Sequence, residues 1–373
     1  MRILQILPEL GAGGVERTTV DVARALGAAG HVPHVASAGG PLAADIQAIG
    51  GVHHILPMTS KNPFVWRGSA AAIAQIIRAH NIDIVHARSR APARPALWAA
   101  RRAGAKFLTT YHGIYNANNP LKRRYNSVMA RGDLIIANSE YTKAHIIKEH
   151  GVSAEKIIAI ARGVDLARFS LDIPRARIAA IRAHWGVSSS ERVLLLPGRL
   201  TRWKGQDVAI KAMPVIKDLT LVIQGDAQGR EAYSSELRAL AASSNARVII
   251  APPHSDMPAA YAASFGALSA STDPEAFGRV TAEACAMGVP VIATAHGGSI
   301  EILDGGRGKP PLGLFAVPSD AASLSEQIKT LAAMRPDQAR QFAQAAQARA
   351  RHKFTNLAMC AATLDVYKRL ISE

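Results

Sequence analysis

Short apolar runs alternate with amphipathic stretches along most of the chain. Ile3 to Leu7 reads as a buried strand, Gly11, Gly13 and Gly14 as a turn, and Val15 to Ala29 as a helix with Val20, Ala23 and Leu26 on one face. Further strands are predicted at Val32–Ala36, Ile82–His86, Lys106–Thr110 and Leu134–Ala137, with helical patterns between them. Near Arg192 the pattern restarts with a strand at Val193–Pro197, a polar loop at Gly198–Gly205 and a helix at Gln206–Met213. Strands follow near Leu221–Gln224, Val248–Ala251, Gly266–Ala270, Val289–Ala293 and Leu314–Val317. Strands alternating with helices imply parallel βαβ units covered on both faces, so the fold class is α/β with two doubly wound, Rossmann-like halves. From Asp337 onward the chain has no glycine or proline and reads as nearly all helix.

A chain of 373 residues exceeds what one core usually holds, so two domains are expected, 1–168 and 169–354, joined around Gly163 to Pro174. Hydrophobic residues make up 49% and charged residues 19%, enough to bury real cores and too apolar for disorder. Cys285 and Cys360 are the only cysteines, which excludes a disulfide framework and points to a reducing, cytoplasmic setting. The N-terminal run is broken by Pro8 and Glu9, so it reads as a strand and not a signal peptide. No apolar stretch is long enough to span a bilayer. The net charge is +16, and residues 1–168 hold 21 Lys and Arg against 10 Asp and Glu. That field favours anionic partners such as nucleic acid, anionic lipid or phosphorylated substrates; a solvated basic surface is the plain alternative.

Candidate chemistry concentrates in the second half. In Asp273-Pro-Glu275-Ala-Phe277-Gly278-Arg279-Val280-Thr281-Ala-Glu283 a polar loop with two acidic residues leads into a helix. Unpaired amides at that helix start carry partial positive charge and suit a diphosphate. Glu275 and Glu283 suit the vicinal hydroxyls of a ribose or hexose. In Pro197-Gly198-Arg199-Leu-Thr201-Arg-Trp-Lys204-Gly205 two cations bracket a loop between strand and helix, positioned for one diphosphate. In the first half, Gly13 and Gly14 precede a helix, but Arg17 breaks the dinucleotide GxGxxG fingerprint. His112 follows a strand, at the end where open α/β sheets bind ligands.

The Glu275-x7-Glu283 stretch resembles the signature of family 4 glycosyltransferases, which have the GT-B fold, and the resemblance spans essentially the whole chain. It implies two Rossmann-like domains facing across a cleft, with an N-terminal acceptor-binding and a C-terminal donor-binding domain. A closing helix near 355–373 would pack back on the N-terminal domain. It implies a retaining, metal-independent transfer from a nucleotide-sugar donor, with no cofactor. Glu275 would hold donor-sugar hydroxyls and Glu283 the ribose. Amides from Phe277 through Gly278 to Val280 would contact the sugar, with Thr281 near the diphosphate. Arg199 and Lys204 resemble the family's diphosphate pair, Gly13 and Gly14 its phosphate-facing loop, His112 the histidine that contacts the donor sugar, and Gly297-Gly298-x-x-Glu301 a further family segment. Arg279 departs from the family, which has an aliphatic residue there, and this leaves donor identity open. Gly225 and His254 are expected to line the base pocket.

A basic run that includes Arg88, Arg90 and Arg94, continued by Lys122, Arg123 and Arg124, is interleaved with Trp98 and Tyr115. It is read as a surface for anionic membrane or a phosphorylated glycolipid acceptor, without nucleic-acid binding, since no nucleic-acid motif accompanies it. Segments here are similar to bacterial lipopolysaccharide-core enzymes, which would place the protein peripherally on the cytoplasmic face of the inner membrane. The pairs His31/His34 and His53/His54 lack carboxylates or cysteines at ligand spacing and are read as surface or strand-end residues, with no metal. Rival readings are a dinucleotide oxidoreductase, a nucleotide-sugar epimerase of the same fold and a non-enzymatic anionic-lipid or nucleic-acid binder.

Overall fold

Continuous apolar strands need cover on both faces, and the chain supplies it twice. A computed structural model describes residues 1–11, 13–60, 62–115 and 119–372; Ala12 of the glycine loop lies outside them. Strands β1 (Arg2–Ile6), β2 (Val32–Ser37), β3 (Val52–Ile55), β4 (Ile84–Ala87), β5 (Lys106–Tyr111), β6 (Leu134–Ala137) and β7 (Ile157–Ala159) form one parallel sheet in the order β3-β2-β1-β4-β5-β6-β7. Strands β8 (Arg192–Pro197), β9 (Leu219–Gln224), β10 (Arg247–Ala251), β11 (Gly266–Ser269), β12 (Val291–Thr294) and β13 (Leu314–Ala316) form a second, in the order β10-β9-β8-β11-β12-β13. The predicted strands all form, within two or three residues at their ends. Pattern reading missed β3 and β7. Both are partly exposed edge strands; β3 has two histidines in place of an apolar run, and β7 is apolar but only three residues long.

The first compact unit is Met1–Arg162 together with the helix Asn356–Ser372, and the second is Gly163–Thr355. The division thus falls at Arg162, where the sequence reading put it at 168. Within the second unit Val164 bridges Thr355, and its N–H donates to the Phe354 carbonyl at 2.8 Å. At this pairing the stretch read as nearly all helix divides into Pro336–Lys353 and Asn356–Ser372. Phe354 is buried at the break. No glycine or proline was needed, because tertiary pairing interrupts the helix.

Each unit holds its own core. In the first, one face of the sheet packs Leu4, Ile6, Val85, Phe107 and Ile135 under helices. The other packs Ile3, Ile84 and Leu108 against Met359, Val366, Tyr367 and Leu370 of the last helix. His34, expected at the surface or a strand end, is instead buried within β2, because the sheet and the helix Pro63–Ala79 cover that face. In the second unit, Leu194, Leu196, Leu221, Ile223 and Leu268 form the corresponding layer. Among the described residues no helix is long and apolar enough to cross a membrane. Cys285 and Cys360 are free and buried in different units.

The last helix is tied in by a buried polar contact: His86 Nδ1 and the Tyr367 hydroxyl lie 2.7 Å apart, and His86 Nε2 lies 2.6 Å from the Thr110 hydroxyl. Tyr367→Phe is expected to destabilise the protein by about 1–3 kcal/mol, because His86 loses a buried partner. Tyr367→Ala, which also removes the ring from the core, is expected to cost about 3–5 kcal/mol. Urea unfolding of the two variants measures both.

Candidate active site

The strand order of the second sheet reverses between β8 and β11, which are hydrogen-bonded neighbours though far apart in sequence. At such a switch point the flanking connections diverge and leave a crevice beyond the strands' carboxyl ends, where open α/β sheets bind ligands. Two loops meet there. One runs Gly198–Gly205 after β8, the other Ala270–Gly278 after β11. They touch through backbone: the Thr272 N–H donates to the Trp203 carbonyl at 2.8 Å. Gly205 has φ of +66°, and a Cβ there would run into the Ala270 carbonyl.

Across this junction Lys204 Nζ lies 2.6 Å from Glu275 Oε1, with the side chains only 14% and 12% exposed. The Ser271 hydroxyl donates to the same carboxylate oxygen at 2.5 Å, with Ser269 farther off at 3.5 Å. Burial works to raise the Glu275 carboxyl; the Lys204 ammonium and the serine hydroxyls outweigh it and hold it below the usual range. The carboxylate is therefore ionised and oriented. Arg199 also stands on the β8 loop, exposed and without an ion-pair partner among the described residues.

Beside the pair, Gly278 (φ +96°) caps the helix Arg279–Ala286. The amides of Arg279, Val280 and Thr281 begin that helix and have no intrahelical acceptor. Phe277 is buried, its ring 5.9 Å from that of Phe354, so only its backbone is free to meet a ligand. Thr281 is buried and its hydroxyl lies 2.9 Å from that of Ser299. Glu283, one turn further in, accepts from the Tyr261 hydroxyl at 3.2 Å and from Arg279 at 2.6 Å. The unusual Arg279 is thus the i,i+4 partner of Glu283, which raises its pKa further.

Gly297 and Gly298 have a packing role. The Gly298 N–H donates to the Glu275 carbonyl at 2.9 Å. A Cβ on Gly297 would overlap the Glu275 backbone, and one on Gly298 the Phe277 carbonyl. Only glycines let this segment seat the acidic loop so closely. Glu301 lies half-buried on the short helix Gly298–Ile302. Gly225 follows β9 and abuts the Gly198 carbonyl, where a Cβ would clash; His254 follows β10, its Nδ1 accepting from the Asp256 N–H at 3.0 Å.

The first sheet has its own switch point, between β1 and β4. Gly13 caps the helix Gly14–Ala28, and the Glu16 carboxylate folds back against Gly13. Arg88 follows β4, almost fully buried, and donates to Gln5 Oε1 at 2.9 Å. His112 follows β5, with both ring nitrogens buried and unpaired. It lines a cavity of about 20 Å³ with Thr18, Arg88, Thr110, Asn138 and Arg162, enough for one water-sized group. Burial first, then Arg88, Arg162 and His86, push its pKa well below 6.5, so the imidazole is neutral.

The Glycosyltransferase Family 4 model matches residues 12–168, and the Glycosyl transferases group 1 model matches residues 178–349. A GDP-mannose-dependent monoacylated alpha-(1-6)-phosphatidylinositol monomannoside mannosyltransferase of Corynebacterium glutamicum is 34% identical over 276 residues, 70% of each chain. This chain belongs to glycosyltransferase family 4. A glycosyltransferase from Rickettsia africae is 33% identical in crystal structure, with a TM-score of 0.87 over 99% of this chain and 98% of that one. Anabaena HepE in complex with UDP-glucose is 25% identical, with a TM-score of 0.82 over 98% and 100%. The paired parallel sheets are those of GT-B glycosyltransferases.

In this glycosyltransferase the basic run divides. Arg88 is an interior residue and not part of a surface, because its guanidinium closes the switch point of the first sheet. Arg90 is half-buried, stacked 4.2 Å over Tyr115 and bonded to Asn126 at 2.8 Å. Lys122, Arg123 and Arg124 are exposed, with Arg123 paired to Glu149 at 3.2 Å. Phe64, Trp98 and Leu121 are exposed as well. Sequence reading missed Ser271 and Tyr261, which hold the two glutamates. Ser271, four residues before Glu275, was the available signal; Tyr261 gave none, since only folding brings it to Glu283.

Lys204→Met leaves a buried carboxylate unpaired and is expected to destabilise the glycosyltransferase by about 3–5 kcal/mol. Adding Glu275→Gln should restore most of the loss, and a double-mutant cycle by denaturant unfolding measures the coupling. A second expectation concerns pH. His86 and His112 both have depressed pKa values in the fold, from burial first, so the unfolded chain binds more protons below 6.5. Their contribution to stability is complete above pH 6.5 and is lost as pH falls beneath it; His112→Gln should flatten that slope in unfolding measured across the range.

Proposed function

We propose that this glycosyltransferase moves a hexose, with retention, from a GDP- or UDP-linked sugar to a glycolipid or polysaccharide acceptor, in lipopolysaccharide core synthesis at the cytoplasmic face of the inner membrane. The observation that carries the donor site is the buried Lys204–Glu275 pair at the switch point, beside the Gly278-capped helix. In this reading the second unit binds the donor and the first the acceptor. Glu275 accepts from sugar hydroxyls and Glu283 from the ribose. Lys204, Arg199 and the amides around Gly278 to Thr281 neutralise the diphosphate as charge develops on it, which makes a metal unnecessary. Gly13 and Gly14 offer backbone to phosphate, and neutral His112 offers a hydrogen bond to the sugar. The acceptor hydroxyl attacks the anomeric carbon on the side from which the diphosphate departs, and the departing phosphate takes its proton.

Two relatives support the donor class: the Corynebacterium protein is named for GDP-mannose, and the Anabaena structure holds UDP-glucose. The Corynebacterium name also specifies an anionic lipid-linked acceptor, which fits the exposed Lys122 and Arg124 beside Leu121 and Trp98.

Thermal shift with GDP-mannose, UDP-glucose and the free diphosphates tests the donor assignment. At 100 times Kd the preferred donor adds about 2.7 kcal/mol of stability, and Glu283→Ala should abolish that shift. A shift with dinucleotides and with no nucleotide sugar overturns the reading, as does an inverted anomer in the product. Lys204→Ala should lower kcat by about 10²- to 10³-fold. Anionic vesicles should sediment the protein, neutral vesicles should not, and Lys122→Glu with Arg124→Glu should release it.

A further inference from the structure

Away from the carboxyl-end loops, three histidines from three elements converge on the edge of the first sheet. Residues two apart on a strand share a face. In the register of β2 and β3, Ala36 pairs with His54, so His34, Ala36 and His54 lie on one face. This is the face on which Leu4, Ile6 and Ala36 pack beneath the helix Pro63–Ala79. His80 is the C-cap of that helix. His34 Nδ1 and His54 Nε2 lie 3.1 Å apart, and one ring nitrogen from each of the three histidines falls within 4.8 Å of the others. The ring centroids of His80 stand 4.8 Å from His34 and 5.2 Å from His54.

We propose that His34, His54 and His80 form a three-histidine site for a divalent transition-metal ion of the zinc class. A tetrahedral ion with bonds of about 2.0–2.1 Å holds its nitrogen ligands roughly 3.4 Å apart. The His34–His54 spacing is already near that value, and a small rotation of His80 at the helix end closes the rest. Arg2 is the nearby cation that opposes the ion. No described carboxylate joins the three nitrogens, so the fourth position falls to water. The ion would clip the edge strand β3 and the inner strand β2 to the helix that covers them, and its binding energy would add to the stability of the first unit. Its role is structural, since it lies at the β3 edge, and β1 and β4 stand between β2 and the strand β5 that leads to His112.

The test is calorimetric titration of the metal-stripped full chain with ZnCl2, together with cobalt(II) absorption and melting temperature. One zinc per chain is expected, with a tetrahedral cobalt spectrum and a raised Tm. His54→Gln and His80→Gln should each weaken binding by about 100-fold or more, since even outer-shell losses cost 10- to 100-fold. His53→Gln, whose imidazole instead meets Ser37 at 2.9 Å, should leave it unchanged. Failure of the wild type to bind zinc below millimolar concentration overturns the proposal. So does binding that persists in the His54→Gln/His80→Gln double variant, which would place the ion on other histidines.

Discussion

The Lys204–Glu275 ion pair sits where the order of the second sheet reverses, and much of the candidate site follows from satisfying it. A carboxylate and an ammonium this buried are tolerable only if geometry holds them together and further donors complete the carboxylate. Ser271 in the loop, with Ser269 at the end of β11, does the latter. The geometry comes from backbone: Gly205 against Ala270, and Gly297–Gly298 against Glu275 and Phe277. The same contacts set the start of the helix Arg279–Ala286, so the charged pair, the unpaired amides and Glu283 form one rigid assembly. Preorganised charge of this kind costs no reorganisation when charge develops on a leaving group.

The first unit solves a similar problem differently. Its switch point buries Arg88, and the surrounding residues respond by staying neutral: His86 shares its two nitrogens with Tyr367 and Thr110, and His112 keeps both nitrogens open to a small polar cavity. Burial, and after it the Arg88 cation, makes protonation costly, so His112 is suited to hydrogen bonding and not to carrying charge. Lys122 and Arg124 carry part of the exposed positive charge, next to the exposed Leu121. One basic composition thus serves two physical purposes, separated only by folding.

The alternation of apolar runs with amphipathic helices determined the two parallel sheets, because a buried strand must read as continuous hydrophobicity. Spacing determined the Glu275–Glu283 pair and the cation-bearing loop, because these functions lie on one local strand–loop–helix unit each. Edge strand β3, with two histidines at its centre, carried no such signal, and β7 offered only three apolar residues. The helix break at Phe354 depended on pairing with Val164, a partner almost two hundred positions away. The fate of Arg88, the Tyr261 bond to Glu283 and the convergence of His34, His54 and His80 were likewise decided only by tertiary structure. In each case the groups come from separate elements, so no spacing along the chain records that they meet.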